Sequence, residues 1–536
     1  MRKCFLSLVF ILSLLFVRGQ YSAKNMSSGG ALHPLQANMD IRHYTLALHV
    51  EPDSQTIRGY CSIEMRLEKP ADTILIDLAP FYTITSLTVN DNRSEYHVKS
   101  DRIFIVRPGG FNSGKNIVRV DYHGKPPIAE HPPWEGGFTW KKDKSGNPWI
   151  VINCQMQGGK IYFPCKDHPS DEPNDGVDLY ITVPKGLSVA GPGMLAAVKR
   201  ATPETSTWHW KTLYPISNYC VLFNIGKYKV YKRNYTTIEG NTVPMEYYIL
   251  EEDTAHAKQV LDMRARDTRI LEKYFGEYPW VKEKIGIAEV PNPGMEHQTM
   301  ITYANDFKVD TINGQLYSAN LYHEFGHEWW ANKVTNRDWA HMWIQEGINT
   351  YAESLFFLEM GGERAYDSSI GLNKKYIDNE TPIVPGEVAD TRAVYNGDIY
   401  SKGAYFMHSL RFMLGDSVFF PALKKLATDP AFTYNNNIIT DDVEKHFSKA
   451  AQKNLKPFFD QFLRTTNLFE FTITKLSANQ YQIEAVNIPM EIPLEISTSN
   501  GIQKINCTAG KFSIASNDFP VIDPRAWYLK KVRSEK

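Results

Sequence analysis

The feature that most constrains this chain is a pair of histidines, His323 and His327, with Glu324 directly after the first. This is the pattern H-E-x-x-H. On a helix, residues four apart lie on one face, so both imidazoles can hold one zinc ion at about 2.0–2.1 Å. A catalytic zinc needs a third protein ligand and an open position for water. Glu346, 19 residues after His327, is the candidate third ligand, on a second helix that folds back. The pattern predicts a zinc site with Glu324 as general base.

The surrounding residues resemble the zinc aminopeptidases of the aminopeptidase N and leukotriene-hydrolase family, whose signature is H-E-x-x-H-x18-E. The likeness extends beyond the ligands to Trp329, Asn332, Trp339, Trp343, Gly347 and Tyr351. The resemblance implies a thermolysin-like catalytic domain with one Zn²⁺ per chain, which releases N-terminal amino acids from peptides. Longer family members carry a further helical domain, so the resemblance implies a short form of the family.

Residues 293–297 resemble the family's G-x-M-E-N exopeptidase motif, although Pro293 replaces the usual Gly and His297 the usual Asn. The resemblance implies that Gly294, Met295 and Glu296 bind the substrate. A site that selects a free peptide amine, which is a cation near neutral pH, needs a carboxylate near the metal. Glu296 is therefore the candidate amine anchor, and Glu346 is expected to share that task. A solvated loop glutamate is the alternative.

Three further residues take their expected roles from the resemblance. Residues 154–157 precede a Pro-Cys-x-Asp run and resemble the family's substrate-facing loop, which implies that Gln155 and Gln157 border the substrate's N-terminal residue. Solvated loop amides are the alternative. Tyr400 opens a Tyr-x-Lys-Gly segment like that of the family's catalytic tyrosine, which implies a hydrogen bond to the oxyanion; simple packing is the alternative. Glu353 is the candidate partner for the second nitrogen of a zinc-bound histidine.

Hydrophobic periodicity divides the chain into regions. Alternation at Tyr44, Leu46, Leu48 and Val50 indicates a strand, and similar runs extend to about residue 232. A helical stripe over residues 260–275 ends at Gly276 and Pro279, and alternation returns after Leu468. We predict a multidomain α+β chain with a signal peptide (1–19), an N-terminal antiparallel β domain (20–232), a thermolysin-like, mostly helical zinc domain (233–466) and a small C-terminal β-sandwich (467–536).

The N-terminus predicts export. Arg2 and Lys3 precede an apolar run, Phe5–Val17, which is too short to span a bilayer and is typical of a secretory signal peptide. A buried N-terminal helix is the alternative. The protein is therefore expected in the periplasm or outside the cell. Five cysteines follow the signal, an odd number, so at least one thiol is unpaired within the chain. No C-x-x-C pair indicates a cysteine zinc site.

Composition and net charge limit the classes of partner that the sequence favours. The net charge is −1, so nothing favours binding to nucleic acid or an anionic membrane, and no other stretch is apolar enough for stable membrane insertion. Peptides with a free N-terminus are the expected partners. A zinc endopeptidase, an epoxide hydrolase and a non-enzymatic exported binding protein are the alternatives. The pocket for the substrate's first side chain is built from scattered residues, so the sequence does not predict which side chain is preferred. The sequence does not predict an oligomeric state either.

Overall fold

The computed structural model describes residues 23–535. In chain order they form a β-sheet region, a helical region with its own small sheet, and a second β-sheet region. The predicted multidomain α+β architecture is confirmed. The predicted signal peptide lies outside the described residues, within which no helix combines the length and apolar character needed to cross a membrane. The five cysteines in this part of the chain are buried and free of disulfides.

The first region begins with a short helix, α1 (Pro34–Ala37), and continues in strands that form three sheets. These strands are β1 (Met39–Glu51), β2 (Thr56–Leu67), β3 (Ala71–Asp77), β4 (Tyr82–Val89), β5 (Asn92–Arg93), β6 (Glu95–Lys99), β7 (Arg102–Phe111), β8 (Gly114–Gly124), β9 (Gly137–Lys142), β10 (Pro148–Asn153), β11 (Val177–Pro184), β12 (Ser188–Ala190), β13 (Met194–Thr202), β14 (Thr205–Lys211) and β15 (Asn224–Gly226). The largest sheet has the order β13-β14-β11-β1-β2-β8-β4-β5, and the others are β12-β15-β10-β9 and β3-β7-β6.

Strand β1 shows why the alternating pattern was informative. Tyr44, Leu46, Leu48 and Val50 are all buried, and the residues between them are partly exposed, because successive side chains of a strand point to opposite faces. The prediction of an antiparallel domain needs one correction. β1 pairs with β11 in parallel, which is possible because no short hairpin joins these two strands. The other pairings in this sheet are antiparallel.

The helical region contains α2 (Ala257–Phe275), α3 (Ala319–Gly326), α4 (Trp343–Lys375), α5 (Thr391–Val394), α6 (Asp398–Leu414), α7 (Asp416–Thr428), α8 (Thr440–Ala451) and α9 (Lys456–Arg464). Its sheet consists of β16 (Tyr228–Thr236), β17 (Thr242–Leu250), β18 (Ile285–Val290) and β19 (Ile301–Ala304), followed by a hairpin of β20 (Asp310–Ile312) and β21 (Gln315–Tyr317). The predicted helix over residues 260–275 is confirmed as part of α2, which Gly276 terminates.

The predicted boundary between residues 232 and 233 falls inside strand β16. Lys232 and Arg233 pair with neighbouring residues of β17. β17 pairs in parallel with β18, and β18 pairs in parallel with β19. The whole of β16 therefore belongs to the sheet of the helical region. A change from strand to helix periodicity could not locate this boundary, because the helical region itself begins with strands.

Helices α4 and α6 cross at two glycines, and this crossing positions the site. A Cβ added to Gly347 would lie 2.7 Å from the Cα of Gly403, and the reverse substitution meets the Cα of Gly347 at the same distance. The two backbones therefore touch. Glu346 precedes the first glycine and Tyr400 lies one turn before the second, so the contact brings both side chains to the same end of the crossing.

The last region has the strands β22 (Phe469–Ser477), β23 (Gln480–Val486), β24 (Ile492–Thr498), β25 (Gly501–Cys507), β26 (Gly510–Ala515), β27 (Val521–Ile522) and β28 (Lys530–Glu535). They form two small sheets, β26-β23-β22-β28 and β25-β24-β27. Helix α6 holds this region in place, since Ser409 Oγ donates to the Trp527 carbonyl at 2.6 Å. The C-terminal region is therefore in direct contact with the helix that carries Tyr400.

Candidate active site

A cavity of about 380 Å³ lies between the first β region and the helical region. It is lined by nine of the ten residues that the sequence predicted for the site, namely Gln155, Gly294, Met295, Glu296, His323, Glu324, His327, Glu346 and Tyr400. The tenth, Gln157, does not line it. Its Oε1 instead accepts a hydrogen bond from the Gly136 amide at 2.6 Å. The structure gives Gln157 a supporting position in place of the predicted one beside the substrate.

The two histidines and Glu346 converge on one point. The Nε2 atoms of His323 and His327 are 3.1 Å apart, and Glu346 Oε2 is 3.7 Å and 3.3 Å from them, respectively. Ligand atoms at tetrahedral angles about 2.0–2.1 Å from a zinc ion lie roughly 3.3 Å from each other. Glu346 is buried, and its Oε2 accepts no hydrogen bond. An orphaned carboxylate oxygen facing two imidazole nitrogens fits a divalent metal.

The remaining ring nitrogens fix the orientation of both imidazoles. His323 Nδ1 lies 2.7 Å from Glu353 Oε1, and His327 Nδ1 lies 2.8 Å from the Trp330 carbonyl oxygen. Both oxygens are acceptors, so each Nδ1 carries the proton and each Nε2 presents its lone pair to the common point. The structure places Glu353 where the sequence suggested a partner for a zinc-bound histidine. The donor set therefore suits zinc in its ligand number, geometry and tautomers.

The charges of these side chains shift one another's pKa values. Burial acts to lower the pKa of His323, but its contacts with Glu346 and Glu353 outweigh burial and raise it. Burial acts to raise the pKa of Glu346, but the His327 and His323 imidazoles lower it to about 2. The cluster thus keeps Glu346 ionised although the side chain is buried, as a metal ligand must be.

Glu324 lies on α3 between the two histidines and lines the cavity, but it is not one of the three convergent ligands. Its Oε1 accepts a hydrogen bond from Asn320 Nδ2 at 2.8 Å. Burial raises its pKa to about 7. A carboxylate held in this way can exchange protons near neutral pH. Sequence reasoning missed Asn320, although its position one helical turn before Glu324 was a usable signal.

Tyr400 enters the cavity from the first turn of α6. Its ring centroid lies 6.0 Å from that of His323, and its hydroxyl donates to the Tyr395 hydroxyl at 2.8 Å. Burial raises the pKa of Tyr400, and Glu346 adds to the effect, so the hydroxyl keeps its proton and remains a donor. Tyr395 also lines the cavity. No sequence pattern singled it out, because it lies in the loop between α5 and α6.

Glu296 also lines the cavity and is only 3% exposed. Gln155 Nε2 donates to Glu296 Oε1 at 2.6 Å, which joins the first β region to the helical region. Burial raises the pKa of Glu296, although the neighbouring His327 opposes the shift. A buried carboxylate that faces a cavity and is held there by the neutral amide of Gln155 is suited to bind a cation from the cavity.

The loop that carries Glu296 is fastened to the chain just beyond His327. Asn332 Nδ2 donates to the Glu296 carbonyl at 2.9 Å and to Glu328 Oε2 at 3.1 Å. The Glu328 carboxylate also accepts from Trp280 Nε1 at 2.7 Å and from the Thr299 amide at 2.9 Å. These bonds set the distance between Glu296 and the histidines. Asn332, one of the residues that carry the family resemblance, therefore has a physical role in holding this loop.

The two departures from the family pattern around Glu296 are accommodated differently. Pro293 lines the cavity beside Gly294. A Cβ on Gly294 would lie 2.9 Å from Glu324 Cγ, so only glycine allows the loop this close to α3. His297 does not line the cavity. It is buried with neither ring nitrogen hydrogen-bonded, and burial lowers its pKa to about 3, so it adds no charge near Glu296.

Comparisons with known proteins agree with this arrangement. A model of the peptidase family M1 domain matches residues 260–462. The chain is 24% identical over 444 residues to the mitochondrial aminopeptidase 2 of Saccharomyces cerevisiae, which covers 77% of this chain and 45% of the relative. It is 24% identical to the leukotriene A-4 hydrolase of Xenopus laevis over 70% of this chain and 63% of that protein. The first relatives matched are thus spanned for about half their length. The predicted family resemblance is confirmed.

Solved structures show the same fold. An M1 zinc metallopeptidase from Deinococcus radiodurans superposes with a TM-score of 0.66 at 20% identity, covering 84% of this chain and 99% of the other. A second structure of that metallopeptidase, bound to a Tyr-Ser-Ala substrate, has a TM-score of 0.65 at 21% identity and covers 82% and 94% of the two chains. The arrangement of sheets and helices described above is therefore shared almost to the full length of a known metallopeptidase chain.

Proposed function

We propose that this chain is a zinc aminopeptidase of the peptidase M1 type and that it removes N-terminal residues from peptides. One observation carries the proposal. The cavity that contains the metal-binding cluster and Glu324 also contains a further buried carboxylate, Glu296, which belongs to neither. A hydrolase that cuts inside a chain needs the metal cluster and a base. A carboxylate held at a set distance from the cluster has a purpose only if the substrate brings a positive charge, as a free N-terminus does.

The three ligands would hold a zinc ion, which supplies Lewis acidity toward a carbonyl oxygen and lowers the pKa of water. Glu324 takes the proton from the water that attacks the peptide carbonyl, and returns it to the leaving amine. Asn320 keeps one oxygen of Glu324 occupied, which leaves the other oxygen free for this transfer. The roles of acid and base thus fall on one side chain, which faces the cavity.

Two further groups position the substrate. Glu296 binds the substrate's ammonium group, and Gln155 holds the Glu296 carboxylate in place through its 2.6 Å hydrogen bond. Tyr400 turns its hydroxyl from Tyr395 to the oxyanion that forms when water adds to the carbonyl. Because the ammonium and the scissile carbonyl belong to the same residue, the fixed loop at Asn332 limits cleavage to the first peptide bond.

Metal removal tests the proposed activity directly. Purified protein is expected to contain one zinc per chain by elemental analysis and to release leucine from leucine amide. Chelation should abolish the release and added zinc should restore it, because three ligands and one ion form the minimal catalytic unit. His327→Ala provides the matched control, which should show neither stoichiometric zinc nor restoration. Release that persists in protein shown to be free of metal would contradict the proposal.

Tyr400→Phe removes one hydroxyl and little volume, so it isolates the hydrogen bond. We expect kcat to fall by roughly 10²–10³-fold with KM little changed, since the bond is made to the transition state and not to the bound substrate. Tyr395→Phe is the control, because it removes the partner of Tyr400 in the free enzyme without removing the donor. If Tyr400→Phe leaves kcat unchanged, the residue serves only in packing.

We also propose that the protein is exported. The basic residues Arg2 and Lys3 and the short apolar run Phe5–Val17 support this. N-terminal sequencing of protein purified from its native host should find a first residue within a few positions of Gln20. An intact Met1 in that material would show that no signal peptide is removed.

A further inference from the structure

Trp134 differs from the other ten tryptophans of the chain. Each of those is buried or partly buried, whereas Trp134 is 55% exposed. It also lines the cavity that contains Glu296, Glu324 and the metal-binding cluster. An indole offers a large rigid apolar surface, and such a surface left in water next to a cavity is typical of a contact made with a ligand.

The loop that carries Trp134 is pinned to the substrate-facing segment. The Gly136 amide donates to Gln157 Oε1 at 2.6 Å. A Cβ on Gly136 would lie 2.4 Å from the same oxygen and 2.9 Å from the Asn153 carbonyl oxygen. Gly136 therefore packs directly on residues 153–157. Trp134 lies two residues from this contact in one segment and Gln155 two residues from it in the other. The indole and the Glu296–Gln155 pair therefore line the same cavity from adjoining segments.

The loop is also restrained on its outer side. His131 Nδ1 lies 3.0 Å from Glu135 Oε2, and Lys24 Nζ lies 3.5 Å from Glu135 Oε1. On the inner side, Met156 follows Gln155, and its carbonyl accepts from Thr391 Oγ1 at 2.6 Å. Trp134, Pro133 and Met156 all line the cavity, and none of them is charged. They form an apolar wall, which we define by these three residues.

We propose that the apolar wall receives the side chain of the substrate's N-terminal residue, and that the preferred substrates are peptides beginning with a large apolar or aromatic residue. This inference rests on the proposed aminopeptidase function and gives it a substrate class. Glu296 and Gln155 hold the ammonium group, and the side chain branches from the carbon that carries that group. The side chain therefore extends beside Gln155, where Met156 and Trp134 lie. A charged side chain there would lose water without gaining a partner on this wall.

The test compares amides of alanine, leucine and phenylalanine as substrates of the wild type, Trp134→Ala and Trp134→Phe. In Trp134→Ala, kcat/KM for phenylalanine amide is expected to fall by roughly 10- to 100-fold, the range over which apolar pockets discriminate side chains, while alanine amide changes little. Trp134→Phe should recover most of the loss, because it restores an aromatic face. Phe519→Ala is the matched control: Phe519 is 50% exposed, lies in the C-terminal region and does not line the cavity.

A second series of dipeptides keeps phenylalanine first and varies the second residue. The inference is overturned if the loss in Trp134→Ala follows the second residue, or if it is equal for alanine and phenylalanine amides. Calorimetric binding of free L-phenylalanine and L-alanine separates this inference from the proposed function. The wild type could cleave no amide and still bind L-phenylalanine more tightly than L-alanine, with this difference lost in Trp134→Ala. That result would show that the proposed function is wrong and that the apolar wall does bind the side chain. Equal binding of the two amino acids would overturn the inference that the apolar wall binds the side chain.

Discussion

Glu324→Gln is expected to retain one zinc per chain and to lose turnover by roughly 10²–10⁴-fold, the range attributed to general acid–base catalysis. The substitution is close to isosteric and leaves His323, His327 and Glu346 in place. The new side-chain oxygen can still accept from Asn320 Nδ2, which lies 2.8 Å from the present carboxylate. Only the ability to take a proton is lost. Metal content by elemental analysis and kcat for leucine amide, measured on the same preparation, check the expectation.

Two control variants distinguish loss of the proposed base from loss of the metal. His327→Ala should lose zinc and activity together, because it removes a ligand. Asn320→Ala removes the hydrogen bond to Glu324 but leaves the carboxylate, so it should retain zinc and lose much less turnover than Glu324→Gln. If Glu324→Gln also loses its zinc, then Glu324 contributes to holding the metal and its assignment as base is wrong.

Glu296→Ala should lower kcat/KM for free-amine substrates by about 30- to 4000-fold, which corresponds to the roughly 2–5 kcal/mol usual when one partner of a buried charge pair is removed. Zinc should be retained, since Glu296 is not among the three convergent ligands. The reason is burial: Glu296 is 3% exposed, so a substrate ammonium that binds there loses most of its water and depends on this carboxylate. Mass spectrometry of a short peptide measures the release of single residues over time.

Acetylation of the peptide's N-terminus, combined with Glu296→Ala, gives a thermodynamic cycle of the double-mutant kind. In the wild type, acetylation removes the positive charge and should cost about as much as the Glu296→Ala substitution. In the variant, acetylation should cost much less, because the charge has already lost its partner. Glu296→Gln keeps the volume and hydrogen bonding near Gln155 and tests charge alone. Internal cleavage of the acetylated peptide at the free-amine rate would identify an endopeptidase instead.

Much of the local structure could be read from residue patterns. The stripe over residues 260–275 became α2, which ends where Gly276 predicted, and the alternation around Tyr44 became the buried face of β1. The spacing of His323 and His327 on one helical turn placed their Nε2 atoms 3.1 Å apart. These features depend on neighbours within a few residues, and helix and strand geometry convert such spacing directly into position.

Other features depended on contacts between distant segments. Three features went against the sequence prediction or beyond it: the parallel pairing of β1 with β11, the place of β16 in the sheet of the helical region, and the bond of Gln157 to Gly136 instead of a position in the cavity. Tyr395 and Trp134 entered the cavity from loops without any periodic signal. A loop position acquires its neighbours from the packing of the elements around it, so its own sequence carries little information about them.

The sequence by itself indicated the metal-binding cluster and Glu324, the residue proposed as base. These residues lie on or directly after α3 and on α4, and one helical spacing defines most of the geometry of the histidine pair. The sequence also indicated Glu296, Gln155 and Tyr400 through family resemblance, without their distances. Only the tertiary structure decided how far Glu296, the proposed amine anchor, lies from the cluster, through Asn332 and Glu328. It alone also placed the three residues that are proposed to contact the first side chain. Those distances arise where a β region, a loop and a helix meet, and packing between such segments is specified by the whole chain and not by any one stretch of it.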